Sequence, residues 1–83
     1  MMMDINNMLN EMSNIMKKNN ISVMEFEFLM SQDNDTRTMI LKQYFDINKL
    51  NQMVNTYSNK VPITDINKFI TLSKLLNNTL DKI

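Results

Sequence analysis

The spacing of apolar residues along this chain predicts a series of amphipathic helices, the clearest of them over residues 4–18. There the apolar positions recur at intervals of three and four, with Asn, Glu, Ser and Lys between them. Asp4 is placed to cap the amino end, and Lys17-Lys18 falls in the last turn, where positive charge complements the helix dipole. Asn19-Asn20 comes next, and Asn adopts the left-handed conformation that ends a helix where Gly is absent.

The second apolar segment, residues 23–30, fits two periods. Three of its apolar residues share one face of a helix, whereas the run Glu25-Phe26-Glu27-Phe28 alternates as a strand does. Ser22 followed three residues later by Glu25 has the spacing of a capping box, and no partner strand is apparent elsewhere. We therefore predict a helix here, followed by a polar break over residues 31–35.

Two further helices are predicted in the middle of the chain. Asp35 or Thr36 is placed to cap a third helix, which the three residues Asp46-Ile47-Asn48 interrupt. The fourth helix then carries its apolar residues on one face and mostly Asn, Gln and Lys off it. The polar run Ser58-Asn59-Lys60 is expected to end it.

The only proline separates the last helix from the rest. Pro62 cannot continue a helix and excludes Val61 from helical geometry, and Thr64-Asp65 is placed to cap the final helix. The expected core positions of this helix are Ile66, Phe69, Ile70, Leu72, Leu75 and Leu76, and Leu80 and Ile83 continue the apolar pattern towards its end. Every predicted element is helical, so we expect an all-α fold: a compact single-domain bundle of about five short helices over residues 1–83.

Composition restricts the chemistry that this fold can perform. The chain has no Gly, Ala, Cys, His or Trp, and Arg37 is its only arginine. Without imidazole or thiol it lacks the usual general base, the soft metal ligands and the commonest nucleophiles. Asp33-x-Asp35 lacks the Gly and the closing Glu of a calcium loop. We therefore expect a binding protein and not an enzyme, with no cofactor, no metal and no small-molecule substrate.

Charge and codon bias indicate the setting in which the protein acts. The formal net charge is zero and the pI is about 6.1, so no general attraction to nucleic acid or to an anionic membrane is expected. Abundant Asn, Ile, Lys and Met are typical of an AT-rich phage, virus, plasmid or bacterium. Met1–Met3 do not begin a signal peptide, and the apolar runs are shorter than the ~20 residues of a membrane span. We expect a protein of the bacterial or host cytoplasm that does not enter membranes.

The ten methionines allow two interpretations. Several fall at apolar helix positions, where a flexible thioether fills irregular gaps in a core. The same property suits an adaptable surface that docks other proteins. Since a domain of this size has marginal stability, homodimer formation is a further expectation.

Residues 41–83 resemble the helix-turn-helix domain of Cro/phage-repressor-type regulators. Leu41 and Phe45 occupy core positions of the first helix, Asp46-Ile47-Asn48 matches the turn, and residues 49–57 would form the helix that reads DNA. The apolar pattern after the proline is similar to the closing helices of the family. With the third helix included, the helix-turn-helix-like part covers about 36–83.

The resemblance implies a dimeric DNA-binding regulator of transcription, in which polar side chains of the reading helix reach base edges in the major groove. The residues that would contact bases or phosphates are Asn48, Lys49, Asn51, Gln52 and Asn55, with Lys60 on the DNA backbone. The simpler interpretation is a polar surface helix in an Asn-rich protein. The alternative function is a small helical phage or viral protein that inhibits or scaffolds a host protein, and a helical subunit or chaperone of a secretion or virion assembly has the same features.

Overall fold

The prediction of five helices is confirmed. The computed structural model describes residues 4–57 and 59–82, and these contain five α-helices and no strand. In chain order they are α1 (Ile5–Lys18), α2 (Met24–Met30), α3 (Asn34–Gln43), α4 (Ile47–Asn55) and α5 (Ile63–Asp81). The Cα radius of gyration is 12.1 Å, close to the ~12 Å of a compact chain of this length. Residues outside the described part of the chain are Met1–Met3, Ser58 and Ile83. The predictions that Met1–Met3 do not begin a signal peptide, that Ser58 belongs to the end of the fourth helix and that Ile83 continues the apolar pattern of the last helix therefore concern residues that the structure does not describe.

Helix α1 begins and ends as its sequence predicts. The Asp4 carboxylate accepts a hydrogen bond from the Asn7 backbone N–H at 2.7 Å and so caps the amino end. Lys17 and Lys18 lie in the last turn. Asn20 then takes a positive φ of 57°, the left-handed conformation expected after the helix.

The helical interpretation of residues 23–30 is correct, but the predicted capping box is wrong. Val23, not Ser22, stands at the N-cap of α2, and no side chain caps this helix. Ser22 Oγ instead donates to Glu27 Oε1 at 2.7 Å. Buried Val23 anchors this end of the helix in the core, and the neighbouring hydroxyl turns outward to a carboxylate one turn into the helix.

The predicted boundaries of α3 and α4 are each displaced by about two residues. Asp33, not Asp35 or Thr36, caps α3 by accepting from the Thr36 N–H at 2.8 Å. The interruption consists of residues 44–46, not Asp46-Ile47-Asn48. Asp46 is the N-cap of α4, with its carboxylate accepting from the Lys49 N–H at 3.2 Å. Each aspartate caps the helix as soon as the chain leaves the preceding one, because a carboxylate satisfies an otherwise orphan N–H.

The start of α5 also differs from expectation. Pro62 occupies the N-cap with no side-chain hydrogen bond, so Thr64 and Asp65 lie in the first turn and do not cap the helix. The fixed φ of proline, −57° here, leads directly into the helix. Asp65 is used between helices: its Oδ2 accepts from Asn19 Nδ2 at 3.1 Å and lies 3.3 Å from Lys18 Nζ at the end of α1.

One continuous core contains buried side chains of all five helices. α5 is the central element: α1 and α4 both pack against it, and α3 makes a smaller contact. Most expected core positions of α5 are buried or half-buried, but Leu75 is 44% exposed, against the prediction. The fully or nearly fully buried apolar side chains include Met8, Leu9, Met12, Phe26, Leu29, Leu50, Val54, Phe69 and Leu76.

A small buried residue lies where α4 packs against α5. Ser73 on α5 is fully buried, and its hydroxyl lies 2.7 Å from Asn51 Oδ1 of α4. The same hydroxyl is within 2.9 Å of the Phe69 carbonyl oxygen on its own helix. A short side chain at this crossing allows α4 to approach α5 closely, and α5 is the main packing partner of α4.

Candidate functional site

The most distinctive surface feature is an apolar groove between α2, α4 and the end of α3. It encloses about 750 Å³ and is open along one side. Its lining residues come from three elements of the chain: Val23, Met24, Glu25 and Phe28 near α2, Ile40, Tyr44 and Phe45 at the end of α3, and Asp46, Lys49, Leu50 and Met53 near α4. We call this feature the apolar groove.

Two large apolar side chains of α2 project from the edge of this groove. Met24 is 80% exposed and Phe28 is 60% exposed. They are four residues apart and therefore lie on the same side of the helix, whereas Phe26 and Leu29 face the core from its other side. We call the pair Met24 and Phe28 the α2 ridge. This helix carries apolar side chains on both sides, and only one side is packed against the core.

The third exposed apolar side chain at the groove follows α3. Tyr44 lies at the C-cap of α3 with φ −129°, outside helical geometry, and it is 77% exposed. The next residue, Phe45, is half-buried against the core. The chain therefore turns between two aromatic side chains, one directed to the core and one left on the surface of the groove.

The charged residues at the groove are Glu25, Asp46 and Lys49. The Asp46 carboxylate is engaged as the cap of α4. Ion pairs within residues 4–57 and 59–82 join Lys18 to Asp65 and Lys68 to Glu11, and neither Glu25 nor Lys49 takes part in one. The groove thus has an acidic group on α2 and a basic group on α4, both exposed and both without an ionic partner among the described residues.

The structure spreads the six predicted DNA-contacting residues over α4 and the loop after it. Five are exposed: Asn48, Lys49, Gln52, Asn55 and Lys60. Asn51 is half-buried and faces Ser73 on α5, so its amide helps to hold α4 in place. Asn48, Gln52 and Asn55 share one exposed edge of α4 through their spacing of four and three residues. Lys49 lies nearer the groove.

A second, polar cleft lies between the turn after α3 and the carboxyl end of α5. It encloses about 610 Å³, and its lining includes Asn48, Asn77 and Asp81. No group of three or more acidic side chains capable of holding a metal ion occurs among the described residues.

The two carboxyl groups with shifted pKa values serve the fold and not the groove. Hydrogen bonding to the Thr36 backbone lowers the pKa of Asp33 at the cap of α3. The hydrogen bond from Asn19, followed by the contact with Lys18, lowers the pKa of Asp65. Both shifts arise where a helix end is stabilised, which is the ordinary cause of a lowered carboxyl pKa.

Sequence reasoning missed the α2 ridge and Tyr44 as surface residues. A signal for the ridge was present in the alternation Glu25-Phe26-Glu27-Phe28. On a helix, residues two apart point about 200° away from each other, so Phe26 and Phe28 cannot face the same core. Once the segment is taken as a helix, one of the two aromatic rings must be directed outward. The position of Tyr44 had no comparable signal, because it depends on where α3 ends.

The protein thus belongs to the all-α class and carries an open apolar groove on its surface. Comparisons of the chain with protein-family models, with curated proteins and with solved structures give no match. None of the helices in residues 4–57 and 59–82 has both the length and the apolar character required to cross a lipid bilayer.

Proposed function

We propose that this protein is a non-enzymatic protein-binding module that docks an apolar segment of another protein in the apolar groove. The observation that carries the proposal is the grouping of Met24, Phe28 and Tyr44, three large and mostly exposed side chains, around one groove. Contiguous exposed apolar surface of this kind marks interaction sites in small soluble domains. The proposal corresponds to the phage or viral protein that binds, inhibits or scaffolds a host protein in the cytoplasm.

The composition of the groove supports an amphipathic helix or a similar apolar segment as the docked element. Methionine and aromatic side chains adapt their shape to a partner, and helix-in-groove recognition uses apolar anchors of this type. The groove continues inward to the buried Leu50 and the half-buried Met53, so an inserted side chain would contact the core of the domain.

The methionines separate into two uses in this proposal. Met8, Met12 and Met16 on α1 are buried and fill the core. Met24 is almost fully exposed and Met53 lines the groove. The two interpretations of the methionine-rich composition therefore apply to different helices of the same protein.

A matched set of variants tests the proposal. The tagged full-length chain, Phe28→Ser and Leu75→Ser would be used to capture proteins from a host lysate, with folding of each checked by circular dichroism. Leu75 is a suitable control because it is exposed on α5 outside the groove. We expect one protein to be retained by the wild type and by Leu75→Ser and to be lost with Phe28→Ser, and the purified partner to show the same order of affinities. Equal retention by all three chains would contradict the proposal.

A second function, DNA binding by a dimeric helix-turn-helix regulator, is favoured by the exposed polar edge of α4. Asn48, Gln52 and Asn55 share that edge, and Lys49 and Lys60 offer positive charge near it. The net charge of zero and the single lysine on α4 predict weak binding. An electrophoretic shift assay at low salt tests this function: binding that Lys49→Ala and Gln52→Ala weaken would support it, and no shift at low salt would oppose it.

A further inference from the structure

The proposed docking face leads to a more specific inference, which rests on it. We propose that in the free protein a second copy of this chain covers the apolar groove, in a two-fold symmetric dimer. In this dimer the α2 ridge of each copy lies in the groove of the other.

The shape of the surface supports this occupant. A two-fold interface brings the same patch of both copies together, so the patch must be complementary to itself, and a patch with both a projecting and a receiving part meets this condition. The α2 ridge and the apolar groove provide these two parts side by side, because Met24 and Phe28 both project from α2 and line the groove. The exposed ring of Tyr44 extends the same apolar surface.

The charges at the groove of one copy are also complementary to those at the groove of a second copy. Glu25 lies on α2 and Lys49 on α4, and neither forms an ion pair within the described part of its own chain. In the proposed dimer the α2 ridge of one copy lies in the groove of the other, beside α4, and this arrangement places Glu25 of each copy near Lys49 of the other. The remaining charge at the groove, Asp46, is satisfied as the cap of α4. With zero net charge, no overall repulsion opposes the approach of two copies.

The first experiment measures the mass of the full-length chain in solution by light scattering and sedimentation over a range of concentrations. We expect twice the chain mass of 9.8 kDa for the wild type and for Leu75→Ser. Phe28→Ser and Met24→Ser should each be monomeric at concentrations where the wild type is dimeric. Both positions are exposed in the single chain, so each variant is expected to fold, and circular dichroism verifies this.

The second experiment reverses the charges. Glu25→Lys and Lys49→Glu should each raise the dimer dissociation constant by about five-fold or more, because every change acts at two symmetry-related contacts. The double variant should return the constant to within about three-fold of the wild type, since it restores both pairs with their signs exchanged. This recovery separates a direct contact between the two residues from a general effect of charge.

The outcomes distinguish the inference from the proposed function. A wild-type chain that stays monomeric but binds a host protein through Phe28 would overturn the dimer and leave the function intact. A dimer that tolerates Phe28→Ser, or charge reversals whose effects add without recovery, would also overturn it. A groove-dependent dimer that captures no other protein would support the inference and oppose the function. If Phe28→Ser altered neither self-association nor capture, both would fall.

Discussion

Phe69 and Phe28 show how differently the two sides of this small protein use the same side chain. Phe69 lies at the centre of the molecule on α5, fully buried among residues of the core, whereas Phe28 is 60% exposed on α2. On the α1 and α5 side, apolar faces are matched and the helix ends are joined through Asp65, Asn19 and Lys18. On the α2 and α4 side the apolar groove is left open. The difference assigns stability to one surface and the proposed docking to another.

The largest expected effect comes from truncating the two phenylalanines. Phe69→Ala should lower the free energy of unfolding by about 3–5 kcal/mol, because it leaves a cavity in the core. Phe28→Ala should change it by less than about 0.5 kcal/mol in the monomer, since the ring is mostly in solvent. Urea denaturation followed by circular dichroism at low protein concentration measures both.

The total stability of a small domain sets a limit on this test. Natural domains have about 5–15 kcal/mol, and a domain this small lies towards the low end of that range, so Phe69→Ala is expected to leave little stability to measure. Phe69→Leu is a milder variant and should remain measurable. Equal losses from truncation at positions 28 and 69 would contradict the division into two surfaces.

The next effect concerns the crossing of α4 and α5. Ser73→Leu should destabilise the fold by about 1–3 kcal/mol, because a larger side chain at this fully buried position separates the helices. Thr71→Leu, two residues away on the exposed side of α5, is the control and should change stability by less than about 0.5 kcal/mol. Thermal unfolding of the two variants compares them directly, and an equal cost would show that the close approach is not required.

A smaller effect is expected at the ends of the helices that border the groove. Asp46→Ala removes the carboxylate that caps α4 and should cost about 1 kcal/mol. Ser22→Ala should cost less than about 0.5 kcal/mol, since Ser22 only donates to Glu27 on the surface and does not cap α2. Hydrogen exchange of the first-turn amides of α4 and α2 would locate each change. A loss of stability from Ser22→Ala as large as that from Asp46→Ala would show that Ser22 caps α2, as the sequence predicts.

The smallest effect is a pH dependence confined to the α1 and α5 side. The pKa of Asp65 is lowered in the folded protein from its ordinary value of 3.8. The ionised carboxylate therefore stabilises the fold at pH values above 3.8, and this contribution is lost as the pH falls through the pKa of the folded state. Asn19→Ala removes the largest cause of the shift and should raise the pKa of Asp65 more than Lys18→Gln does. A carboxyl NMR titration of the three chains measures the order, and the opposite order would make the ion pair the main cause.

The sequence by itself determined the class of the fold, because the signals for helices are local. Apolar spacing and the Asp4 cap define α1 completely, and Pro62 separates α5 from the rest. Local signals do not define a helix boundary where several polar residues compete to cap the helix. Asp33 and Asp46 each cap a helix two residues after the C-cap of the preceding helix, so the position of each cap follows from where that preceding helix ends.

Only the tertiary structure decided which apolar residues face the core and which remain on the surface. The apolar pattern of α2 fits two sides of the helix, and the packing of Phe26 and Leu29 leaves Met24 and Phe28 exposed. The same packing directs Asn51 to Ser73, although sequence alone groups it with the exposed polar residues. The physical reason is that one domain of this size offers one interior, and contacts between distant segments determine which side chains occupy it.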